Sequence, residues 1–413
     1  MASSRSRAWR PIAAAGAVAL VLRVVFGLTY WIDKPLTHDE REYLALARGL
    51  SEGRGFTYGP DHQSGTAAQF GRAPAYPLFL AAIGATGPEN GSAPMRVKVV
   101  QAVIGAALVV VIGALAWRAA GRSAGAAAAL GAAMYPPLVW YPAYVFSETL
   151  YSLIALSSAL VLQAAVVRAD TALSSRAGGP LALLAGGLIG VGILTRPALL
   201  LFVPLALLWL LRRRRSALAV ALLAAVLAVV APWTARNYRA HGRFVLVASE
   251  GGVTFWTGNH PLARGEGDLA ANPEIKRTEV EFRRRHPGLT AEELEPLYYR
   301  EAFGHIRAKP GWWLGLLARK AFYTIVPGGP SYRVHSLRYQ AASIASYLLL
   351  LPFAVAGVRT LWRAKERPVA LGLLACSAVL VGLIFFPQER FRVPVLDPAM
   401  IIAAAASVRP SRP

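Results

Sequence analysis

YWIDKPLTHDEREYLALARGLSEGRGF occupies residues 30–56, and its reading decides the fold. The chain before it, from 11 to 32, is an apolar run long enough to cross a bilayer's hydrocarbon core, closing on the interface-seeking pair Tyr30 and Trp31. Asp33, Asp39, Glu40 and Glu42 follow at once, in a 413-residue chain that holds only 22 acids. Acids are concentrated where the chain leaves the membrane.

Working outward, the composition supports the first span. Hydrophobic residues make up 55% and charged residues 16%, with a positive mean hydropathy, too little charge to cover a soluble protein of this length. Apolar runs recur near 96–117, 123–141, 145–167, 180–195, 197–211, 216–234, 341–361, 369–387 and 394–408. The expected fold class is an all-α polytopic membrane protein with about ten transmembrane helices. The segment 72–87 is too short to span comfortably and is expected as an interfacial helix in the first outer loop. Trp312 and Trp313 mark a second interfacial piece, 311–326. Three parts result: a seven-span module 1–234 containing an outer loop at 33–95, a larger outer loop at 235–340, and three spans within 341–413.

Charge sets the sidedness. With the N-terminus inside, the cytoplasmic pieces (the start, 118–122, 168–176, 212–215, 359–367 and the tail) carry seventeen Arg and Lys against Asp170 and Glu366. That is the positive-inside pattern, which places both termini in the cytoplasm and the acid-rich loops outside a plasma membrane. The net charge of +22 is therefore topological, and no nucleic-acid partner is expected. Cys376 is the single cysteine, so there is no disulfide framework. MASSRSRAWR lacks a following small-residue cleavage site and reads as the cytoplasmic end of an uncleaved first span.

In the opening stretch, Tyr43, Ala47 and Leu50 have helical spacing, so a helix starts near Asp39. Thr37 with Glu40, and Asp39 with Glu42, each fit a capping box, which places acids at the positive end of a helix. A capping acid is also a rigidly held one. Asp39 is thus a candidate general base, with Glu40 beside it to position a substrate or raise its basicity.

The acidic pair, "GRGF" (53–56), "RAPAYPLFL" (72–80), "YPPLVWYPAYVFSETL" (135–150), "GILTRPALLL" (192–201), "PWTARNYRAHGRFVLVASEGGVTFWTGNHP" (232–261) and "ERFRVPVLDP" (389–398) occur in an order that matters. Together they resemble the membrane glycosyltransferases of fold type C that use polyprenyl-phosphate sugars, the superfamily of protein O-mannosyltransferases and aminoarabinose transferases. The resemblance implies an inverting transfer from a polyprenyl-phosphate sugar donor to an envelope glycan, lipid or protein acceptor. It places the catalytic acids at Asp39 and Glu40, and donor-phosphate contacts at Arg72, Arg196, Arg390 and Arg392.

Arg196 also stands out on physical grounds, as a lone charge in apolar sequence at an outer membrane face. It either snorkels to headgroups or faces an anion. Glu148 either contacts sugar or takes part in a cap through Ser147, and Arg236 and Asn237 either bind substrate or anchor a span end. Tyr76 and Asn259 complete the candidate substrate contacts. His38 and His260 have no metal-ligand spacing, and no cofactor is expected; the divalent ion that some relatives engage is not carried over. The rival reading is a transporter or lipid-linked-sugar flippase. Against it stand the lack of an inverted repeat and the scarcity of mid-span charge, Arg23 excepted.

Overall fold

The computed structural model describes residues 2–58, 71–172, 175–328, 336–364 and 367–408. Glu366, the basic tail beyond Val408 and part of the first outer loop lie outside these residues. Among those described there is no strand, and every element named below is helical.

The helices in order are α1 (Ala2–Val25, continued by a π turn to Tyr30), α2 (His38–Ser51), α3 (Ala75–Ala82), α4 (Met95–Ala120) and α5 (Arg122–Met134). Next come α6 (Pro136–Trp140), α7 (Glu148–Thr171), α8 (Ser175–Thr195), α9 (Phe202–Arg212) and α10 (Ser216–His241). The outer segment supplies α11 (Gly251–Gly258), α12 (Pro273–Arg284), α13 (Ala291–Ala308) and α14 (Pro310–Ile325). The chain closes with α15 (Leu337–Arg363), α16 (Val369–Ile384), α17 (Glu389–Arg392) and α18 (Leu396–Ala406).

Among the described residues six helices are long and apolar enough to cross a membrane: Trp9–Tyr30, Met95–Ala120, Glu148–Thr171, Ala177–Thr195, Ser216–Ala240 and Leu337–Arg363. Pro197–Arg212, Val369–Ile384 and Leu396–Ala406 are apolar but shorter. The expected run at 123–141 divides into α5 and α6, because Pro136 and Pro137 cannot continue a helix through Tyr135, which is extended. The piece 72–87 yields only the eight-residue α3, and 311–326 the amphipathic α14.

Small residues bring the apolar helices together, as expected where lipid offers no hydrophobic drive between helices. On α5, Ala124, Ala128, Ala129, Ala132 and Ala133 are all buried. A Cβ at Gly113 of α4 would crowd Ile12, Ala129 and the Gly125 carbonyl. Gly186 and Gly190 of α8 admit the α10 backbone and Val229 in the same way. Arg23, the mid-span charge of α1, is 2% exposed and donates to the carbonyls of Ala19, Ala132 and Ala133 at 3.0, 3.2 and 3.3 Å. It satisfies the last carbonyls of α5, which have no intrahelical partner.

Two satellite cores sit apart from the main one. Tyr43, Leu44, Ala47, Tyr76, Leu80 and Val145 bind α2 and α3 to the ends of α4 and α7. Phe255, Trp256, Ile275, Phe282, Tyr298 and Leu316 give the outer segment its own core.

Candidate active site: a carboxylate and arginine network

Each member of the site is placed by a helix end. Thr37 caps α2: its Oγ1 accepts from the Glu40 backbone N–H, and the Glu40 carboxylate accepts from the Thr37 N–H at 2.8 Å. The box is therefore Thr37 with Glu40, which leaves Asp39 on the first turn, aimed outward. Glu148 is the first residue of α7, where the positive helix end favours a carboxylate. Its neighbour Ser147 makes no side-chain cap. Arg196 precedes Pro197, which forces it out of helical geometry (φ −148°) and ends α8 there. Arg390 rides on the short α17.

These groups form one alternating chain of charge. Arg72 donates to Asp39 Oδ1 at 2.7 Å and to Glu42 at 2.5 and 2.9 Å, and stands 3.5 Å from Glu250. Arg390 donates to the other Asp39 oxygen and to Glu148 Oε1. Arg196 reaches the same Glu148 oxygen at 2.8 Å and Ser147 Oγ at 3.3 Å. Aromatic faces hold the guanidinium planes: Arg390 lies 4.0 Å from the Phe146 ring centre and Arg72 5.2 Å from that of Tyr43. Glu148 is 1% exposed, whereas the Glu250 side chain is 42% exposed and marks the open end.

The acids differ sharply in proton affinity. Burial alone raises the Asp39 carboxyl, but Arg390 and Arg72 outweigh it and hold Asp39 well below the usual range. Burial also raises Glu40, whose hydrogen bonds from Thr37 and Val145 only partly compensate.

Five of the expected site residues are thus brought together: Asp39, Arg72, Glu148, Arg196 and Arg390. Six are turned elsewhere. Glu40 is 2% exposed and uses both oxygens internally, one on Thr37 and one on the Val145 N–H at 2.9 Å. The Tyr76 hydroxyl donates to Gln101. Asn237 donates to the carbonyls of Val245 and Val247, and Arg236 lies over the Trp233 ring. Asn259 bridges Trp313, Lys320 and the Ile384 carbonyl. Arg392 faces the fully buried Asp397 at 2.8 Å. Glu42 and Glu250 join the network without having been singled out as site residues; the acid cluster signalled Glu42, while nothing local to "ASEGG" signals Glu250.

Among the described residues His38, Asp39 and Glu42 offer donor atoms within 4.8 Å of one another. Arg72 and Arg390 already occupy the Asp39 and Glu42 carboxylates, so a cation would have to displace a guanidinium to bind there.

Apolar helices end at this network and an outer helical segment folds against them, and the fold so made is similar to that of solved membrane glycosyltransferases. The archaeal oligosaccharyltransferase AglB from Archaeoglobus fulgidus, in complex with an inhibitory peptide and a dolichol-phosphate, is similar with a TM-score of 0.60 and 16% identity. That similarity covers 98% of this chain and 50% of AglB, so the chain spans about half the length of the oligosaccharyltransferase. ArnT from Cupriavidus metallidurans bound to undecaprenyl phosphate gives a TM-score of 0.44 at 14% identity, over 96% of this chain and 77% of that one. The fold assignment rests on the first and extends no further than the fold. The chain matches no family profile and no curated protein sequence.

Proposed function

We propose that the protein is an inverting glycosyltransferase that moves a sugar from a polyprenyl-phosphate donor to an acceptor hydroxyl on the extracytoplasmic face. One observation carries this reading: an ionised carboxylate, Asp39, is clamped between two arginines, one of which continues through Glu148 to a third. Transfer needs a base beside the acceptor and positive charge beside the departing phosphate. The acceptor oxygen attacks the anomeric carbon. The bond from that carbon to the phosphate oxygen breaks, and its electron pair leaves on the polyprenyl phosphate. The acceptor's proton passes to Asp39, while Arg390, Arg196 and Arg72 take up the phosphate charge.

Clamped by two guanidinium groups, Asp39 is a weak base. A donor phosphate that draws Arg390 to itself removes one clamp, and the Asp39 proton affinity rises when the acceptor needs it. Donor binding and base activation are then one event. The three-part division at 234 and 340, with 33–95 as the catalytic loop, belongs to the same proposal, as do the plasma membrane and the cytoplasmic termini.

The test is sugar transfer by the purified protein from polyprenyl-phosphate sugars, with Arg390→Leu as the control. Wild type should transfer and Arg390→Leu should not, and equal transfer by both would sink the reading. For sidedness, a single cysteine near residue 280 in a Cys376→Ala background should react with an impermeant reagent from outside intact cells. Reaction only after permeabilisation would reverse the topology.

A further inference from the structure

Lys320 has no place in the chemistry above, yet it is 0% exposed and has no carboxylate partner among the described residues. Its ammonium donates to Asn259 Oδ1 at 3.1 Å and to the carbonyls of Leu383 and Ile384 at 3.1 and 3.4 Å. An ammonium has three donors, and all three are used. Leu383 and Ile384 are the last residues of α16, so Lys320 puts positive charge where the helix has carbonyls without partners and a negative dipole end.

The contact is one of several that fasten the same strap. Asn259 Nδ2 donates to the Ile384 carbonyl at 3.0 Å, and Trp313 Nε1 donates to Asn259 Oδ1 at 3.1 Å. A Cβ at Gly258 would overlap the Phe385 carbonyl, so only glycine lets α11 lie this close. The Gly267 N–H donates to the Pro387 carbonyl at 3.3 Å. Three pieces of the outer segment, the end of α11, the loop at Gly267 and α14, therefore grip residues 383–387. Three residues later the chain reaches Arg390. On either side of it, Glu389 accepts from Ser343 and Arg392 faces Asp397, which ties this part of the chain to α15 and α18.

We infer that Lys320 is a positioning residue for Arg390: it locks the outer segment to the end of α16, so the seating of that segment sets where the Arg390 guanidinium stands. The inference rests on the proposed function only in taking Arg390 as a phosphate contact. An acceptor that shifts the outer segment would, through this lock, move the donor-site arginine.

The test uses the purified full chain with undecaprenyl phosphate as probe, and hydrogen exchange on the ligand-free protein. Lys320→Met should weaken binding roughly 2- to 30-fold, the range of coupling transmitted through packed networks. In an Arg390→Leu background the same change should cost nothing further. Independently of any ligand, amides of 383–386 and 388–392 should exchange faster in Lys320→Met, with those of α4 unchanged. Wild-type exchange rates in the strap, or a binding loss of equal size with and without Arg390, overturn the inference. Should wild type fail to bind the probe, the transferase reading falls and exchange alone decides the lock. If Lys320→Met does not fold, Asn259→Ala removes the amide that joins Lys320 and Trp313 to the Ile384 carbonyl while keeping the charge, and carries the same comparison.

Discussion

Arg390 and Arg392 stand two residues apart on one turn of helix and belong to two different worlds. Arg390 is shared among acids from α2 and α7 at a partly open rim. Arg392 is shut inside the protein against Asp397, whose other oxygen accepts from the Tyr135 hydroxyl, with Ser343 also in reach of the guanidinium. Both are buried arginine–carboxylate clusters. The open one leaves an edge exposed at Glu250; the closed one, built from Ser343 of α15, Asp397 in the first turn of α18 and Tyr135 at the end of α5, is shut from solvent. Partners beside an exposed edge can exchange with a ligand, whereas partners shut from solvent can only hold the fold.

The largest expected effect tests that contrast on α2. Asp39→Asn keeps an N-terminal polar side chain and should leave the fold intact while transfer falls about 10²- to 10⁴-fold, the usual worth of a general base. Glu40→Gln should do the reverse, lowering the thermal midpoint while sparing the rate of the molecules that stay folded, because Glu40 serves Thr37 and Val145. Transfer and melting measured on the same preparations check both, and full activity in Asp39→Asn would remove it as base.

Next comes the closed cluster. Arg392→Leu leaves Asp397 buried without its cation and should cost about 3–5 kcal/mol of stability. Undecaprenyl-phosphate affinity of the surviving folded protein should fall by no more than it does in Lys320→Met, since Arg392 reaches the donor only through the seating of Arg390. A selective loss of affinity without loss of stability would erase the distinction between the two arginines.

Arg196→Leu should weaken donor use roughly 10- to 100-fold, the scale of one or two charge-assisted hydrogen bonds, and Arg196→Lys should recover a part of it. Near-normal transfer by the Leu variant would return Arg196 to a purely structural role beside Glu148.

The smallest effect belongs to the outer segment and depends on pH. Burial, with His305 nearby, pushes His260 down to about 4. Its Nδ1 accepts the Leu262 N–H at 3.2 Å, which protonation would break. The unfolded chain takes up this proton near pH 6.5 and the folded chain only near 4, so stability falls as pH drops through that window. Thermal midpoints taken from pH 7 to 4 should show the slope in wild type and lose part of it in His260→Gln.

Much of this was legible in the sequence. The all-helical apolar architecture, the helix after Thr37 and the break at Arg196 before Pro197 each rest on a local signal and are present in the structure, although the run at 123–141 divides at Tyr135. Glu250 was not, because its contact with Arg72 joins loops far apart in the chain. Neither was the divergence of Arg390 and Arg392. Two residues on a helix are turned by about 200°, but that argument needs the four-residue α17 to be known first. The partners of Asn237 and Asn259 were not legible for a related reason: a short amide reads the same whether it meets sugar or a protein carbonyl, and for Asn259 the Ile384 carbonyl is 125 residues away.

Arg23 carries a consequence for the order in which the protein is made. Two of its three acceptors, the carbonyls of Ala132 and Ala133, lie 109 and 110 residues further along. When the first helix emerges from the ribosome they do not yet exist, and an arginine at mid-helix costs about 2.5–3.5 kcal/mol on insertion scales. The first helix is therefore a poor membrane anchor until the fifth arrives. Nascent chains halted before residue 132 should integrate inefficiently, Arg23→Leu should repair them, and longer chains should need no repair. Good integration of the short wild-type chains would show that the first helix settles alone.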